Sequence, residues 1–284
     1  MFIMYFFYLD ETLVIPTVYQ DALSIVRQLG KPDFFITFTC NSSWPEIQRG
    51  QLYNQKASDR PDLCARVFNL KLRELMNDLT KKHVPGRAVA VHIYTNEYQK
   101  RGLPHAHILL IVDSQDKPQT PDDYDKIISA KIPDRTRYPL TYDTVVKYMI
   151  HGPCGLLNTN AVCMNAELGC LKQYPKDFVE DTSINERGGY PLYRRGNNSV
   201  FITKVVNQQA INIDIRWVVP HNIYLCTNCD AHINVELCSS INSIKYVHKY
   251  VYKGHDRASM SVEQQDKIKT FLDAKYVLAP EASC

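Results

Sequence analysis

The stretch RGLPHAHILLIV, Arg101 to Val112, sets two histidines one residue apart at the head of an apolar run. Side chains alternate across a strand, so His105 and His107 share one face. Two imidazoles side by side are a metal-ligand pattern, and the segment before them supplies a third donor. The spacing of GRAVAVHIYTNEYQK puts Val89, Val91, Ile93, Thr95, Glu97 and Gln99 on one side of a partner strand. A tight hairpin brings Glu97 opposite His105, with Gln99 on the same side as an alternative third ligand. Mixed nitrogen and oxygen donors with open positions suit Mg²⁺ or Mn²⁺, with Zn²⁺ as a further candidate. A metal held in that way can polarise a phosphoryl oxygen. A lone His-X-His on a strand is otherwise an ordinary feature of a core, and Glu97 is what makes it more.

A second cluster offers a nucleophile. In KYVHKYVYKGHDR, Tyr246 and Tyr250 stand four residues apart, which on a helix places them on one face about 5–6 Å apart at Cβ. Tyr252 falls on the other side. Lys245, His248, Lys249 and Lys253 surround them with positive charge. A phenol has a pKa of about 10 and needs a cation or base before it attacks. Set beside a metal that holds a DNA phosphate, a tyrosinate yields a 5′-phosphotyrosine and a free 3′-hydroxyl. Two of them permit two successive strand transfers. With eighteen tyrosines in the chain, core packing is the competing reading of the pair by itself.

The cysteines form the third group. His151, Cys154, Cys163 and Cys170 fall in one irregular stretch, and Cys226 and Cys229 form a C-x-x-C. Zinc takes four such ligands, and a segment with little core gains most from one, although the spacing matches no standard finger. Buried free thiols are the alternative. For nucleic acid, Arg101, Arg194, Arg195, Lys245, Lys249 and Lys253 are candidate phosphate contacts, Lys249 first among them because it lies between the two tyrosines. Lys100 stands beside Arg101. Trp44, Phe38 and Tyr193 are candidate platforms for unpaired bases.

These groups need elements to hold them. DFFITFTC alternates aromatic and β-branched residues with threonines and reads as a strand. PDLCARVFNLKLRELMNDLTKKH reads as a helix whose apolar stripe is Leu63, Val67, Leu70, Leu75 and Leu79, opened by Pro61. The two-armed pattern around Gly102 is a hairpin. TPDDYDKIISAKI is a short helix capped by Thr120, and TYDTVVKYMIHG is another. Residues 151 to 200 break the regularity and read as an insertion. HINVELC resumes as a strand, and INSIKYVHKYVYKGH reads as a helix ending near Gly254. The expected architecture is α+β, with a central antiparallel sheet flanked by helices and an irregular Cys-containing insertion.

Composition sets bounds. The 284 residues suffice for one large domain, taken here as 1–284 with 151–200 inserted, and a net charge of +3 permits nucleic-acid binding without arguing for it. The apolar opening MFIMYFFYL has no basic flank, meets Asp10 and Glu11 at once, and is too short to span a bilayer. Nine cysteines, an odd number without an export signal, argue for reduced thiols or metal ligands over a disulfide framework.

Five blocks in order, KPDFFITFTCNSSWPEI, NEYQKRGLPHAHILLIV, MIHGPCG, HINVELC and IKYVHKYVYKG, resemble the signature blocks of the Helitron transposase replication-initiator domain. That domain is one of the HUH endonucleases, named for His, hydrophobic residue, His. The resemblance runs from about Ala22 to Pro280. It implies the sheet-and-helix fold above and rolling-circle transposition, in which a divalent metal serves to nick and transfer single-stranded DNA at transposon ends. His105 and His107 match the motif histidines, and Tyr246 and Tyr250 match the nucleophiles. Glu97 lies where related initiators carry an acidic ligand, while Gln99 matches the glutamine of QKRGLPH. A nuclear location is also implied. No G-x-x-x-x-G-K-[ST] phosphate loop occurs, so the helicase that follows this domain in the family is expected to be absent. A catalytically inactive DNA-binding remnant and a viral or plasmid replication initiator are the rival readings.

Overall fold

A computed structural model describes residues 31–84, 89–98, 102–165, 169–183, 190–197, 199–206 and 208–238. Strand β1 (Phe34–Thr39) alternates buried and half-buried residues, as FFITFT requires. Strands β2 (Val89–Tyr98) and β3 (Pro104–Val112) form the expected hairpin, in which Gly102 takes φ +75°, a region open to glycine without strain. Strand β6 (Ile233–Leu237) completes a four-stranded antiparallel sheet in the order β2-β3-β1-β6. Helices α1 (Pro45–Arg49) and α2 (Pro61–Thr80) follow β1. Helix α3 (Pro121–Ile127) starts at the predicted cap, where Thr120 Oγ1 accepts the Asp123 N–H and the Asp123 carboxylate accepts the Thr120 N–H in return. Helix α4 (Pro139–Tyr148) leads into the irregular stretch. Beyond it lie a separate hairpin of β4 (Phe201–Val206) and β5 (Gln209–Asp214), then α5 (Ile223–Cys229). The α+β class with a central antiparallel sheet stands.

Helix α2 covers one face of the sheet. Its buried apolar side chains are Cys64, Val67, Phe68, Leu72, Leu75 and Leu79, packed with Phe34, Ile36 and Phe38 of β1 and Ala106, Ile108 and Leu110 of β3. Of the predicted stripe, Val67, Leu75 and Leu79 are buried and Leu63 packs against the core, whereas Leu70 does not. Leu70 is 60% exposed, because it sits two residues past Phe68 and so about 200° round the helix. A second apolar cluster gathers Val145, Met149, Cys154, Ile202, Ile213, Ile215, Trp217, Val218 and Cys226. The Trp44 indole N–H donates to the Cys229 carbonyl at 2.9 Å, and Asn41 Nδ2 donates to the Tyr148 hydroxyl at 2.7 Å. These bonds tie α5 and α4 to the turn after β1.

Candidate metal centre

The odd-numbered side chains of β1 and β3 face away from α2. Strand pairing sets Glu97 across from His105 and Thr95 across from His107, while Thr39 and Thr37 flank the same histidines from β1. Both imidazoles therefore share one sheet face, their ring centres 4.5 Å apart and their planes nearly perpendicular. Glu97 Oε2 lies 3.1 Å from His107 Nε2. Thr39 Oγ1 and His105 Nδ1 share a hydrogen bond of 2.8 Å. Phe35 stacks on the His107 ring at 5.8 Å.

This face is only partly open. His107 is 3% exposed, and burial, followed by the neighbouring His107 and His232, pulls the His105 pKa down to about 3 against the opposing pull of Glu97. A neutral imidazole is the ligating form. Two donors on adjacent positions of an ion about 2.1 Å away stand about 3.0 Å apart, and the 3.1 Å between Glu97 and His107 matches that spacing. With the Thr39 bond occupying Nδ1, His105 has Nε2 left for a metal. Gln99, Lys100 and Arg101 lie outside the described residues, as do Tyr246, Tyr250, Tyr252, Lys245, Lys249 and Lys253.

Sequence reading missed two members of this face. Thr39 is one. His232 is the other, because its carbonyl accepts the Thr39 N–H at 3.1 Å and so brings β6 alongside. Its Nδ1 is buried and finds no hydrogen-bond partner among the described residues. The alternation of HINVELC, which puts His232, Asn234 and Glu236 on one side, was the available signal; which strand β6 joins was not readable.

The predicted base platforms are interior. Trp44, Phe38 and Tyr193 are buried, and the Tyr193 hydroxyl accepts the Leu237 N–H at 2.8 Å. They pack the core and offer no surface for stacking. Arg195 is also a correction: it is 2% exposed, and its guanidinium donates to the carbonyls of Ile215 at 2.7 Å and Ala130 at 3.2 Å. A cation so enclosed joins two segments and does not reach a phosphate. Arg194 stays at the surface, 3.5 Å from the Asp125 carboxylate.

The His/Cys group assembles elsewhere. His151, Cys154, Cys163 and Cys170 place their ligand atoms within 4.8 Å of one another, the one set of three or more such ligands among the described residues that does so. This cluster could hold a metal such as zinc. The Cys226 and Cys229 thiols stay apart from it, buried on α5, where burial pushes each pKa up to about 12. The C-x-x-C is therefore part of the core, since one turn of helix turns both thiols inward.

Residues 16–110 match the family model described as "Helitron helicase-like domain at N-terminus". The matched stretch contains β1, α1, α2, β2 and most of β3, with Glu97, His105 and His107 among its residues. The match covers about a third of the chain and shows what this stretch is similar to. It suggests the Helitron transposase family and a protein that handles nucleic acid. No curated protein matches the chain. Among the described residues no helix is long and apolar enough to cross a membrane.

Proposed function

We propose that the chain is a metal-dependent single-strand DNA endonuclease and strand transferase of a rolling-circle, Helitron-type transposon, acting as one replication-initiator domain in the nucleus. The observation that carries this reading is the shared face of Glu97, His105 and His107, with Glu97 3.1 Å from His107, inside the segment that matches the family. His105, His107 and Glu97 or Gln99 would hold Mg²⁺ or Mn²⁺. When bound, the ion supplies Lewis-acid polarisation of the scissile phosphate. Tyr246 or Tyr250 is the attacking group. Its phenolic oxygen bonds to phosphorus, the bond from phosphorus to the 3′-oxygen breaks, and the phenol's proton passes by way of solvent to that 3′-oxygen. The product is a 5′-phosphotyrosine with a free 3′-hydroxyl, so the reverse reaction can rejoin a new end. Lys245, Lys249, Lys253, Arg101 and Arg194 are the proposed phosphate contacts, and transposon-end single strands the proposed substrate.

The test is incubation with end-labelled single-stranded oligonucleotides and Mn²⁺, followed by a search for a covalent adduct on a denaturing gel. Wild type should form it, and Tyr246→Phe/Tyr250→Phe should not. Full adduct in that double variant would show the nucleophile to be another residue. DNA binding with no adduct in wild type would instead identify an inactive remnant.

A further inference from the structure

The chain between α4 and β4 poses a physical problem. Its described residues contain no helix or strand, only isolated bridges such as Met164 with Cys170 and Ser183 with Leu192. Several apolar side chains point outward, with Leu156 91% and Val162 94% exposed. Ordering each residue costs about 1–2 kcal/mol of backbone entropy. Little apolar burial is available here to offset it. Something else must hold this segment.

We infer that His151, Cys154, Cys163 and Cys170 bind one zinc ion in a closed, four-ligand site that fastens the described residues around it, His151, Tyr174, Lys176 and Tyr190 among them, to the second core and to strand β6. The geometry is specific. Tetrahedral zinc, with S and N ligands at about 2.3 and 2.0 Å, holds a sulfur and a nitrogen about 3.5 Å apart. His151 Nε2 lies 3.4 Å from Cys170 Sγ, and all four donors fall within 4.8 Å of each other. Three thiolates and an imidazole complete the coordination, so no position is left for water or substrate, and the site is structural. Binding releases the thiol protons to solvent and involves no redox change.

The surroundings are built to the same end. The Leu171 N–H donates to the Cys163 carbonyl at 2.8 Å, and the Asn165 N–H to the Gly169 carbonyl at 2.9 Å, which draws Cys163 and Cys170 together. The Lys172 N–H donates to Cys170 Sγ at 3.3 Å, a bond that favours the thiolate. Gly152 takes φ +86°, and a Cβ there would stand 2.8 Å from the Trp217 ring, so only glycine lets His151 and Cys154 approach from this side. The His151 N–H donates to the Trp217 carbonyl at 2.8 Å.

From the cluster a stack of contacts reaches the sheet. The His151 ring lies on Tyr174 with centres 4.2 Å apart. The Lys176 ammonium stands 5.2 Å from the Tyr174 ring and 4.3 Å from that of Tyr190. The Tyr190 hydroxyl donates to Glu236 Oε1 at 2.9 Å. Glu236 shares its side of β6 with Asn234 and His232. Zinc at one end thus steadies the β6 edge of the histidine face at the other. The inference stands whether or not the chain cleaves DNA.

Metal analysis of the full chain, purified without chelator, tests it. Zinc should be found at about one per chain, and replacement by Co²⁺ should give the visible absorption of a tetrahedral site with a thiolate charge-transfer band. Cys154→Ser/Cys163→Ser should lose the metal, whereas Cys229→Ser and His105→Ala/His107→Ala should keep it. Should the cluster variant fold poorly, the cobalt titration of wild type still decides. Absence of stoichiometric zinc together with a cobalt spectrum lacking the thiolate band would overturn the site, as would zinc retained in the double serine variant. The fastening role has its own readout in the two tryptophans. Chelation should shift Trp217 emission, read in Trp44→Phe, and leave Trp44 emission, read in Trp217→Phe, unchanged. Trp217 emission that ignores zinc removal would refute the fastening.

Discussion

The histidine face and the His/Cys cluster bring similar side chains together by opposite means. On the sheet, the hydrogen-bonded pairing of β1, β2 and β3 puts Glu97, Thr39 and the two histidines in place, and the side chains arrive as a consequence. Such a site exists before any ion does. In the loop, four donors spread over twenty residues meet with only the isolated bridge of Met164 and Cys170 between them. There the proposed ion is part of the fold. A face set by backbone pairing can leave coordination positions open for chemistry, whereas a cluster that serves as a fastener needs them filled.

That contrast can be broken experimentally, and the largest effect should come from the face itself. His105→Ala/His107→Ala should reduce covalent adduct by more than the roughly 100-fold that loss of an outer-shell partner costs, while circular dichroism and zinc content stay at wild-type values. Loss of zinc in this variant would mean that the two sites are one unit. Next is the sheet's support. Leu75 is fully buried under β1 and β3, and Leu75→Ala should cost about 2–5 kcal/mol in urea unfolding. A smaller loss would indicate that the ladder is held by something other than α2.

A pH effect of comparable size belongs to His221, which is fully buried and whose burial lowers its pKa from 6.5 to about 4. The unfolded chain takes up this proton first as pH falls. Stability from this residue is therefore complete above pH 6.5 and declines as pH drops toward 4, by as much as about 3 kcal/mol. Urea midpoints measured across that window should fall less steeply in His221→Asn than in wild type. Equal slopes would assign the acid sensitivity elsewhere.

A finer probe asks how far the histidine face is preset. Thr39→Val removes the hydrogen bond to His105 Nδ1 and nothing larger. It should weaken Mn²⁺ binding by about 10–100-fold, measured by titration, without unfolding the chain. Unchanged affinity would mean that β3 alone orients the ring. The smallest effect should come from Leu70→Ala, at an exposed helix position, within about 0.5 kcal/mol of wild type. A large loss there would return Leu70 to the buried stripe of the helix.

Local pattern was enough for much of this protein. Alternation in FFITFT, the His-X-His at the head of the apolar run of PHAHILLIV, the hairpin around Gly102 and the Thr120 cap are short-range properties, written in neighbouring residues. For that reason the shared side of His105, His107 and Glu97 was legible before any fold was known. The four His/Cys candidates were legible as residue types in one stretch, but not as a cluster, since an irregular chain has no period from which a distance follows.

Other matters waited on the tertiary structure because they depend on which elements meet. Helix α2 has apolar residues on more than one side, and only its packing against β1 and β3 chose Phe68 and Leu72 over Leu70. Arg195 is an ordinary surface cation by type, yet two carbonyls from distant segments close over it. Trp44 had the chemistry of a base platform and became the pin between α1 and α5. His232 lies more than a hundred residues from His105 and reaches its face because β6 pairs with β1. Periodicity tells a side chain which side of its own strand it occupies; long-range pairing and burial decide what stands beside it.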